Sequence, residues 1–202
     1  MTNAHRTFEA QVANVLRTYV EGFRRLVSAE RLSGGASQET YRLTIETEQG
    51  GQKLAMRRAP GGVVSDLKTG PTLAVEAQLM RTAKQVGVPE PEIVHVLEPE
   101  DDLGEGFIME WLDGETLGAR IVRSPDLDEI RPRLARACGE ILARIHAIDV
   151  ESSGLNGVLE VITPEELVEQ TWERYKLFET PQPMIDFTGR WLKENLPGEV
   201  TP

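Results

Sequence analysis

Two runs of alternating apolar and polar side chains, separated by a short turn, constrain the fold of this chain more than any other feature. The runs are ETYRLTIE and QKLAMRR, and TEQGG forms the junction between them. Alternation with a period of two places successive side chains on opposite faces of a strand, and paired glycines allow a tight turn. The pattern predicts a β-hairpin within residues 30–58.

A glycine-rich loop precedes this hairpin, in the stretch LSGGASQETYRL of residues 32–43. Glycine pairs commonly close a turn, because they adopt backbone angles that other residues resist. A loop of bare backbone also allows a negatively charged group to bind its N–H groups. The local pattern is compatible with both explanations.

The surrounding segments add helices and further strands. Apolar residues at helical spacing predict a long amphipathic helix over residues 5–28, and LAVEAQLMRTAKQVG predicts a second helix that stops at Gly87. Two more strands, joined by an acidic turn, are predicted within VPEPEIVHVLEPEDDLGEGFIMEWLDG. The order strand, strand, helix, strand, strand indicates one antiparallel sheet with one helix against it.

Helical patterns dominate after Gly114. An apolar stripe that includes Cys138 predicts a helix over residues 132–148. A capping box at 163–166 predicts the start of another helix, and a last helix is expected to stop at Pro197. The predicted divisions are an N-terminal helix, a sheet-bearing half and a helical half, at residues 1–28, 29–113 and 114–202.

The composition favours a small-molecule partner over a nucleic acid or a membrane. The chain of 202 residues has a net charge of −11, whereas surfaces for nucleic acids or anionic membranes need clustered Lys and Arg. Its single cysteine, Cys138, is predicted to lie in the core, in a reducing cytoplasm. Its three histidines are far apart in sequence, so a zinc or haem site is not expected. No stretch is long enough and apolar enough to cross a bilayer.

The order of parts in the sheet-bearing half suits a nucleoside triphosphate. A glycine loop, a cation on a following strand and a carboxylate on a helix together allow loop amides to cover phosphates while the carboxylate holds the cation. Alternation along LAMRR places Ala55 and Arg57 on one face and Arg58 on the other. If the first face lines a cleft, the small Ala55 leaves room for a flat base. Arg57 then reaches the phosphates, with Glu76 of the next helix as its partner.

Each of these parts also has a purely structural explanation. Arg57 and Arg58 can be the solvated ends of an edge strand, and Glu76 can be an exposed helix position. FIMEWLDG, residues 107–114, fits a buried strand that runs into an Asp-Gly turn. It fits equally well a connection whose backbone groups bind the edge of an adenine. The order and spacing of the parts, rather than any single part, support the nucleotide prediction.

Six stretches of the sequence occur in a characteristic order: LSGGASQETYRL, LAMRRAP with PGG at its end, EAQLMR, VPEPEIV, FIMEWLDG and LARIHAID. Together they resemble the N-terminal portion of the aminoglycoside phosphotransferase family. The resemblance extends to the branch related to the phosphotransferase domains of certain acyl-CoA dehydrogenases, over about residues 25–197. It implies an α+β, protein-kinase-like fold with an antiparallel five-stranded N-lobe, one packed helix, and the first helices of an α-helical C-lobe. It also implies transfer of the γ-phosphoryl group of ATP to a small-molecule hydroxyl, with Mg²⁺ as a second cofactor.

The resemblance further implies roles for particular residues. Those that correspond to the loop covering the phosphates are Gly34, Gly35, Ala36 and Ser37. Arg57 stands where many members have a lysine, and Glu76 corresponds to its helix partner. Met109 corresponds to the residue that lines the back of the adenine pocket. The carbonyl of Glu110 and the amide of Leu112 correspond to the groups that bind the base.

The catalytic motif of the family is not found in this sequence. Members carry an H-G-D-x-x-x-x-N stretch with an aspartate base and a metal-binding asparagine, and a further aspartate that holds Mg²⁺. The stretch at 146–149, HAID, lacks the glycine and the downstream asparagine. RWLKENLPGEVTP resembles the segment before the catalytic loop, so we expect no catalytic residue in this chain and expect the Mg²⁺ ligands beyond residue 202. A site without a base and metal ligands loses most of its electrostatic stabilisation, so the chain alone is expected to have little or no transfer activity.

Two other functions are compatible with the sequence. A non-catalytic nucleotide-binding or interaction module would bind ATP without transferring a phosphoryl group. A structural α+β domain, in which the glycine loop is merely a turn, would bind no nucleotide. The pattern does not select among an aminoglycoside, a choline-like cation and a hydroxyacyl thioester as substrate, and it leaves the oligomeric state open.

Overall fold

The computed structural model describes residues 7–33, 38–62 and 71–197. The chain divides into two compact units, Met1–Asp149 and Val150–Pro202. None of the described helices is long and apolar enough to cross a membrane. The predicted boundary between a sheet-bearing and a helical half, after residue 113, stays a prediction.

The first unit contains a five-stranded antiparallel sheet with the strand order β1-β2-β3-β5-β4. The strands are β1 Phe23–Arg31, β2 Glu39–Thr47, β3 Gly50–Arg58, β4 Ile93–Val96 and β5 Gly106–Glu110. The α-helices in the described part of this unit are α1 Phe8–Tyr19, α2 Leu73–Gln85, α3 Gly118–Arg123 and α4 Arg131–His146. The predicted α+β class, with a five-stranded antiparallel sheet followed by helices, is confirmed.

The first helix is shorter than the sequence predicted. α1 ends at Tyr19, and residues Phe23–Arg31 form β1 instead of the end of a helix. Between them Gly22 has a φ of 65°, a left-handed conformation that glycine adopts at little cost. Phe23 and Leu26, which satisfied the helical spacing, pack on the core from the strand. They reach the same side because the β1–β2 pairing has a register shift of the kind that a bulge produces between Phe23 and Arg25.

β2 and β3 form the hairpin that the alternation predicted. The hydroxyl of Thr47 donates a hydrogen bond of 3.0 Å to the carbonyl oxygen of Gly50 and so closes the turn. Gly50 has a φ of 118°, which side chains rarely tolerate. The resulting register places Glu39, the first residue of β2, directly opposite Arg58, the last residue of β3. The residues that follow the glycine loop therefore lie beside the end of β3.

The two faces of the sheet pack against different helices. On the α1 face, α1 covers a cluster whose buried strand residues include Leu43, Ile45, Leu54, Met56 and Ile108. On the α2 face, α2 covers a cluster whose strand residues include Ile93, Phe107 and Met109. Removal of apolar surface from water on both faces stabilises this arrangement by about 25 cal/mol per Å². The predicted alternation along β3 is confirmed, with Leu54 and Met56 on the α1 face and Arg57 on the α2 face.

α4 forms as predicted, but its apolar stripe is not buried. Cys138 is exposed, and Leu142 and Ile145 are 51% and 40% exposed. The prediction that Cys138 lies in the core is therefore wrong. Helical spacing identifies which face of a helix is apolar, whereas burial also requires a neighbouring element over that face.

The α-helices in the described part of the second unit are α5 Pro164–Lys176 and α6 Pro183–Glu194. The predicted capping box is confirmed at the start of α5. The N–H of Glu166 donates to the hydroxyl of Thr163 at 3.2 Å, and the N–H of Thr163 donates to the Glu166 carboxylate at 2.8 Å. The helices approach closely where Gly189 of α6 meets the ring of Trp172 of α5. An apolar groove of about 440 Å³ lies between them.

Candidate functional site

An ion pair between Arg57 on β3 and Glu76 on α2 lies at the centre of the candidate site. Nη1 of Arg57 donates to Oε1 of Glu76, and the two side chains are 31% and 26% exposed. The predicted contact between strand and helix is therefore present. Partial exposure leaves the guanidinium within reach of a ligand, while the carboxylate restricts its orientation.

Gln38 is a second partner of Arg57 that the sequence pattern did not predict. Its Oε1 accepts a hydrogen bond from Nη2 of Arg57. Gln38 immediately precedes β2 and lies two residues before Thr40, the direct partner of Arg57, so Gln38 and Thr40 are on the face of the sheet that carries Arg57. The alternation of the hairpin contained this signal, but it becomes readable only once the register of the two strands is known. The two bonds use two of the five N–H donors of the guanidinium group.

β5 supplies an aromatic neighbour to the same cation. Phe107 is the partner of Arg57 in the β3–β5 pairing and is fully buried. The guanidinium carbon lies 5.9 Å from the centre of the ring, within the range of a cation–π interaction. The ring and Glu76 thus both restrict where the guanidinium group lies.

The first turn of α2, which carries Glu76, is anchored by hydrogen bonds to its backbone. The hydroxyl of Thr72 accepts from the N–H of Val75 at 3.3 Å. Glu105, in the connection between β4 and β5, accepts from the N–H of Leu73 at 2.7 Å. A carboxylate at this end of a helix also interacts favourably with the helix dipole. These contacts set the position from which the Glu76 carboxylate extends.

Ala55 and Met109 are direct partners in the β3–β5 pairing. Ala55 is buried, and Met109 is half-buried and packs against the cluster on the α2 face. The structure therefore brings together the two side chains that were predicted to lie beside the base. Their contact with an adenine stays a prediction.

Glu110 and Leu112, predicted to bind the base through main-chain groups, lie at and beyond the end of β5. The N–H of Glu110 donates to the carbonyl oxygen of Glu92 at 2.8 Å, and its carboxylate accepts from the N–H of Glu92 at 3.2 Å. This double contact holds the end of β5 against the segment before β4. Leu112 is 55% exposed, and the base-binding roles of both residues stay predictions.

Four residues predicted to contact phosphates lie outside the described part of the chain: Gly34, Gly35, Ala36 and Ser37. The described backbone on either side closes the loop at its base. The N–H of Leu32 donates to the carbonyl oxygen of Thr40 at 2.8 Å. The ends of the loop are therefore held together next to the end of β3.

A second arginine forms an ion pair behind this site, on the α1 face. Nε of Arg58 donates to Oε2 of Glu39 at 2.7 Å, and the two side chains are 14% and 8% exposed. The hydroxyl of Tyr41 donates to the same carboxylate oxygen at 3.0 Å. Nη1 of Arg31 lies 3.2 Å from the other oxygen. Glu39 therefore has partners on all three of the strands that surround the glycine loop.

The surroundings of Glu39 keep it charged. Burial raises the pKa of its carboxyl, but hydrogen bonds from Arg58, from Tyr41 and from the backbone of Gly61 lower it by more. The net pKa lies below its ordinary value, so Glu39 is ionised at neutral pH. The sheet thus contains a buried negative charge with a cationic partner.

The described residues fit a phosphate better than a metal ion. Among them there is no group of three or more His, Cys, Asp or Glu side chains that could hold a metal. Arg57, by contrast, presents a partly exposed planar group whose donors match phosphate oxygens. Ala55, two residues earlier on the same face, adds little bulk beside it. The described residues therefore suit the phosphates and base of a nucleotide and do not by themselves form a Mg²⁺ site.

A comparison with protein families decides the assignment. Residues 28–201 match the model of APH, the phosphotransferase enzyme family. This chain belongs to the phosphotransferase enzyme family. The match includes the last four residues of β1, strands β2 to β5, the Arg57–Glu76 pair and the helices that follow.

Two curated relatives of this phosphotransferase family member are acyl-CoA dehydrogenase family proteins. Member 10 from Mus musculus is 26% identical over 198 residues, which are 94% of this chain and 17% of that protein. Member 11 from Gallus gallus is 27% identical over 177 residues, which are 85% of this chain and 21% of that protein. The chain spans about a fifth of the length of these relatives. The resemblance to this branch is confirmed.

A solved structure shares the fold of this phosphotransferase family member. The crystal structure of a "putative aminoglycoside phosphotransferase" from Ralstonia eutropha matches with a TM-score of 0.73 and 25% sequence identity. The match covers 96% of this chain and 55% of the other. The kinase-like fold is thus confirmed, and the chain spans about half the length of that protein.

Proposed function

We propose that this phosphotransferase family member is the nucleotide-binding portion of an ATP-dependent kinase that phosphorylates a hydroxyl of a small molecule. The observation that carries the proposal is the Arg57–Glu76 ion pair in a chain of this family. A strand cation held by a helix carboxylate is the arrangement by which kinase-like folds bind nucleotide phosphates. When bound, ATP supplies the γ-phosphoryl group.

In this proposal the side chain of Arg57 binds phosphate oxygens. The planar guanidinium group of Arg57, called the fork below, offers parallel N–H donors to these oxygens. Glu76 and Gln38 hold this fork in one orientation. Residues 34–37 cover the phosphates with backbone N–H groups. Pre-orientation matters because a free arginine side chain would lose more rotamer freedom on binding.

The base lies farther along the same face of the sheet in this proposal. Ala55 and Met109 flank it, and the small side chain of Ala55 leaves room for a flat ring system. The carbonyl of Glu110 and the amide of Leu112 bind its edge. These groups orient the nucleotide and take no part in breaking a bond.

We also propose that the catalytic base and the Mg²⁺ ligands belong to a longer protein. The chain spans 55% of the Ralstonia eutropha structure, and its sequence lacks the catalytic motif of the family. Without those groups the transition state would lose most of its charge stabilisation. The chain of 202 residues is therefore expected to bind ATP and to transfer its phosphoryl group slowly or not at all.

The proposed second substrate is a small molecule, and the proposed location is the cytoplasm. The net charge of −11 supports a small-molecule substrate, because it disfavours a polyanionic macromolecule such as a nucleic acid. The same charge is compatible with a cationic substrate.

Calorimetric titration of the 202-residue chain with ATP tests the proposal. We expect saturable binding that weakens by about ten-fold, or ~1.4 kcal/mol, in the R57A variant. R25A is the matched control, because Arg25 is an exposed β1 arginine that is also paired with a glutamate, Glu46. No binding by the wild-type chain, or equal losses in both variants, would contradict the proposed function.

A further inference from the structure

The ion pair between Glu39 and Arg58 touches none of the proposed nucleotide contacts, although it lies directly behind them. Its side chains are 8% and 14% exposed, and the guanidinium carbon of Arg58 lies 4.7 Å and 5.5 Å from the ring centres of Phe8 and Tyr41. Burial of two charges is costly, and a buried ion pair commonly stabilises a fold no better than apolar side chains of similar size. Stability alone therefore explains this pair poorly.

One carboxylate joins the chain segments that surround the glycine loop. Glu39 is the first residue of β2, and its partners Arg31 and Arg58 are the last residues of β1 and β3. The carboxylate thus connects both ends of the loop at 32–38 with the end of β3.

Adjacent residues of the same two segments form contacts on opposite faces of the sheet. Glu39 binds Arg58 on the α1 face, and Gln38 binds Arg57 on the α2 face. Successive side chains of a strand point to opposite faces. A contact that fixes one face therefore also fixes the backbone from which the neighbouring contact extends.

We propose that Glu39 and Arg58 are positioning residues, whose buried pair sets the orientation in which Gln38 and Arg57 present the phosphate-binding fork. This inference rests on the proposed function, because the ligand of the fork is the phosphate of the nucleotide. The pair itself touches no ligand. Its loss is expected to weaken the binding of phosphates and to leave the binding of the base unchanged.

Affinities of the 202-residue chain for ATP and for adenosine separate this role from a purely structural one. We expect E39Q to weaken ATP binding by about ten-fold and to change adenosine binding by less than about two-fold. In an R57A background E39Q should have no further effect on ATP, because the pair acts through Arg57. E46Q is the matched control, since Glu46 also pairs with an arginine but is exposed and lies near the opposite end of β2.

Three results would overturn the inference. They are an unchanged ATP affinity in E39Q, equal losses of ATP and adenosine affinity, and a loss of ATP affinity that persists in the R57A background.

If E39Q does not fold, Y41F replaces it, because this variant removes only the O–H that donates to Glu39 at 3.0 Å. We expect Y41F to weaken ATP binding by about two- to three-fold with adenosine unaffected, and equal affinities for both ligands would again contradict the role.

Arginine side-chain NMR distinguishes failure of this inference from failure of the proposed function. If the wild-type chain binds neither ligand, the proposed function fails, and the Nε–H resonance of Arg57 still reports how the fork is held. We expect E39Q to shift this resonance and E46Q to leave it in place. An unshifted Arg57 resonance in E39Q overturns the positioning role. If adenosine binds too weakly to titrate, the Arg57 resonance and the ATP affinity of E39Q in the R57A background together decide whether Glu39 positions the fork.

Discussion

Glu39 and Arg58 pair directly across β2 and β3, with Oε2 and Nε 2.7 Å apart, on the face of the sheet opposite the contact between Gln38 and Arg57. The two contacts use neighbouring residues of the same strand ends. The proposed positioning role therefore predicts that a change on the buried face alters the contact on the face that carries the candidate site.

Acid is expected to destabilise the first unit through Glu39. The folded chain holds the pKa of this carboxyl below its ordinary value of 4.5, so its stabilising effect is fully present above that value. The effect is lost as the pH falls through the lower, folded pKa. In denaturant unfolding measured from neutral pH downwards, E39Q should lose less stability below pH 4.5 than the wild type. E46Q should follow the wild type more closely because Glu46 is exposed and its charge is screened by solvent. The same dependence of the free energy of unfolding on pH in all three proteins would contradict the prediction.

Removing the charge of Glu76 is expected to release Arg57. E76Q keeps the size of the side chain but replaces a charge-assisted hydrogen bond with a weaker one. We expect calorimetric titration to show an ATP affinity lower by about three- to ten-fold. E92Q is the control, since Glu92 pairs with Lys84 of the same helix at 2.8 Å but is 66% exposed. An E76Q chain that binds ATP as tightly as the wild type would rule out this role for the helix carboxylate.

β3 and β5 are too close at Gly106 to admit a side chain. A Cβ there would lie 2.4 Å from the carbonyl oxygen of Arg57 and 2.8 Å from the Cβ of Arg58. These strands cannot separate without losing their pairing, so G106A should lower the free energy of unfolding by about 1–3 kcal/mol in urea denaturation. G51A, on β3 with open space around it, should change it by less than ~1 kcal/mol. Similar stabilities for the two variants would show that the strands can move apart cheaply.

The contact between α5 and α6 depends on Gly189. A Cβ at this position would lie 2.4 Å from the ring of Trp172, so G189A should displace the ring and destabilise the second unit by about 1–3 kcal/mol. G139A is the helical control, because a Cβ there meets nothing within 4 Å and alanine favours a helix by up to ~1 kcal/mol. Thermal unfolding followed by circular dichroism measures both. A G189A chain as stable as G139A would contradict the close packing of the two helices.

Segments with one clear period were assigned the correct secondary structure from the sequence, whereas a segment with two possible periods was not, and burial was not predictable from the period alone. The hairpin of β2 and β3 has an unbroken alternation, and α2 repeats its apolar side chains every three or four residues. Phe23 and Leu26 fit the spacing of a helix, but the register shift between Phe23 and Arg25 allows a strand to place them on the same side. Cys138 fits the apolar stripe of α4, yet the stripe is exposed because spacing says nothing about the neighbour that would cover it.

The sequence by itself determined the period of β3 and α2, and with it the face of β3 that carries Arg57 and the helix that carries Glu76. Only the tertiary structure decided that Gln38 also reaches Arg57 and that Glu39 pairs with Arg58 behind it. The first kind of information is local, because the covalent spacing of side chains along a strand or a helix sets which of them share a face. The second joins residues 19 positions apart in the chain, and such contacts depend on strand register, which the folding of the whole sheet sets.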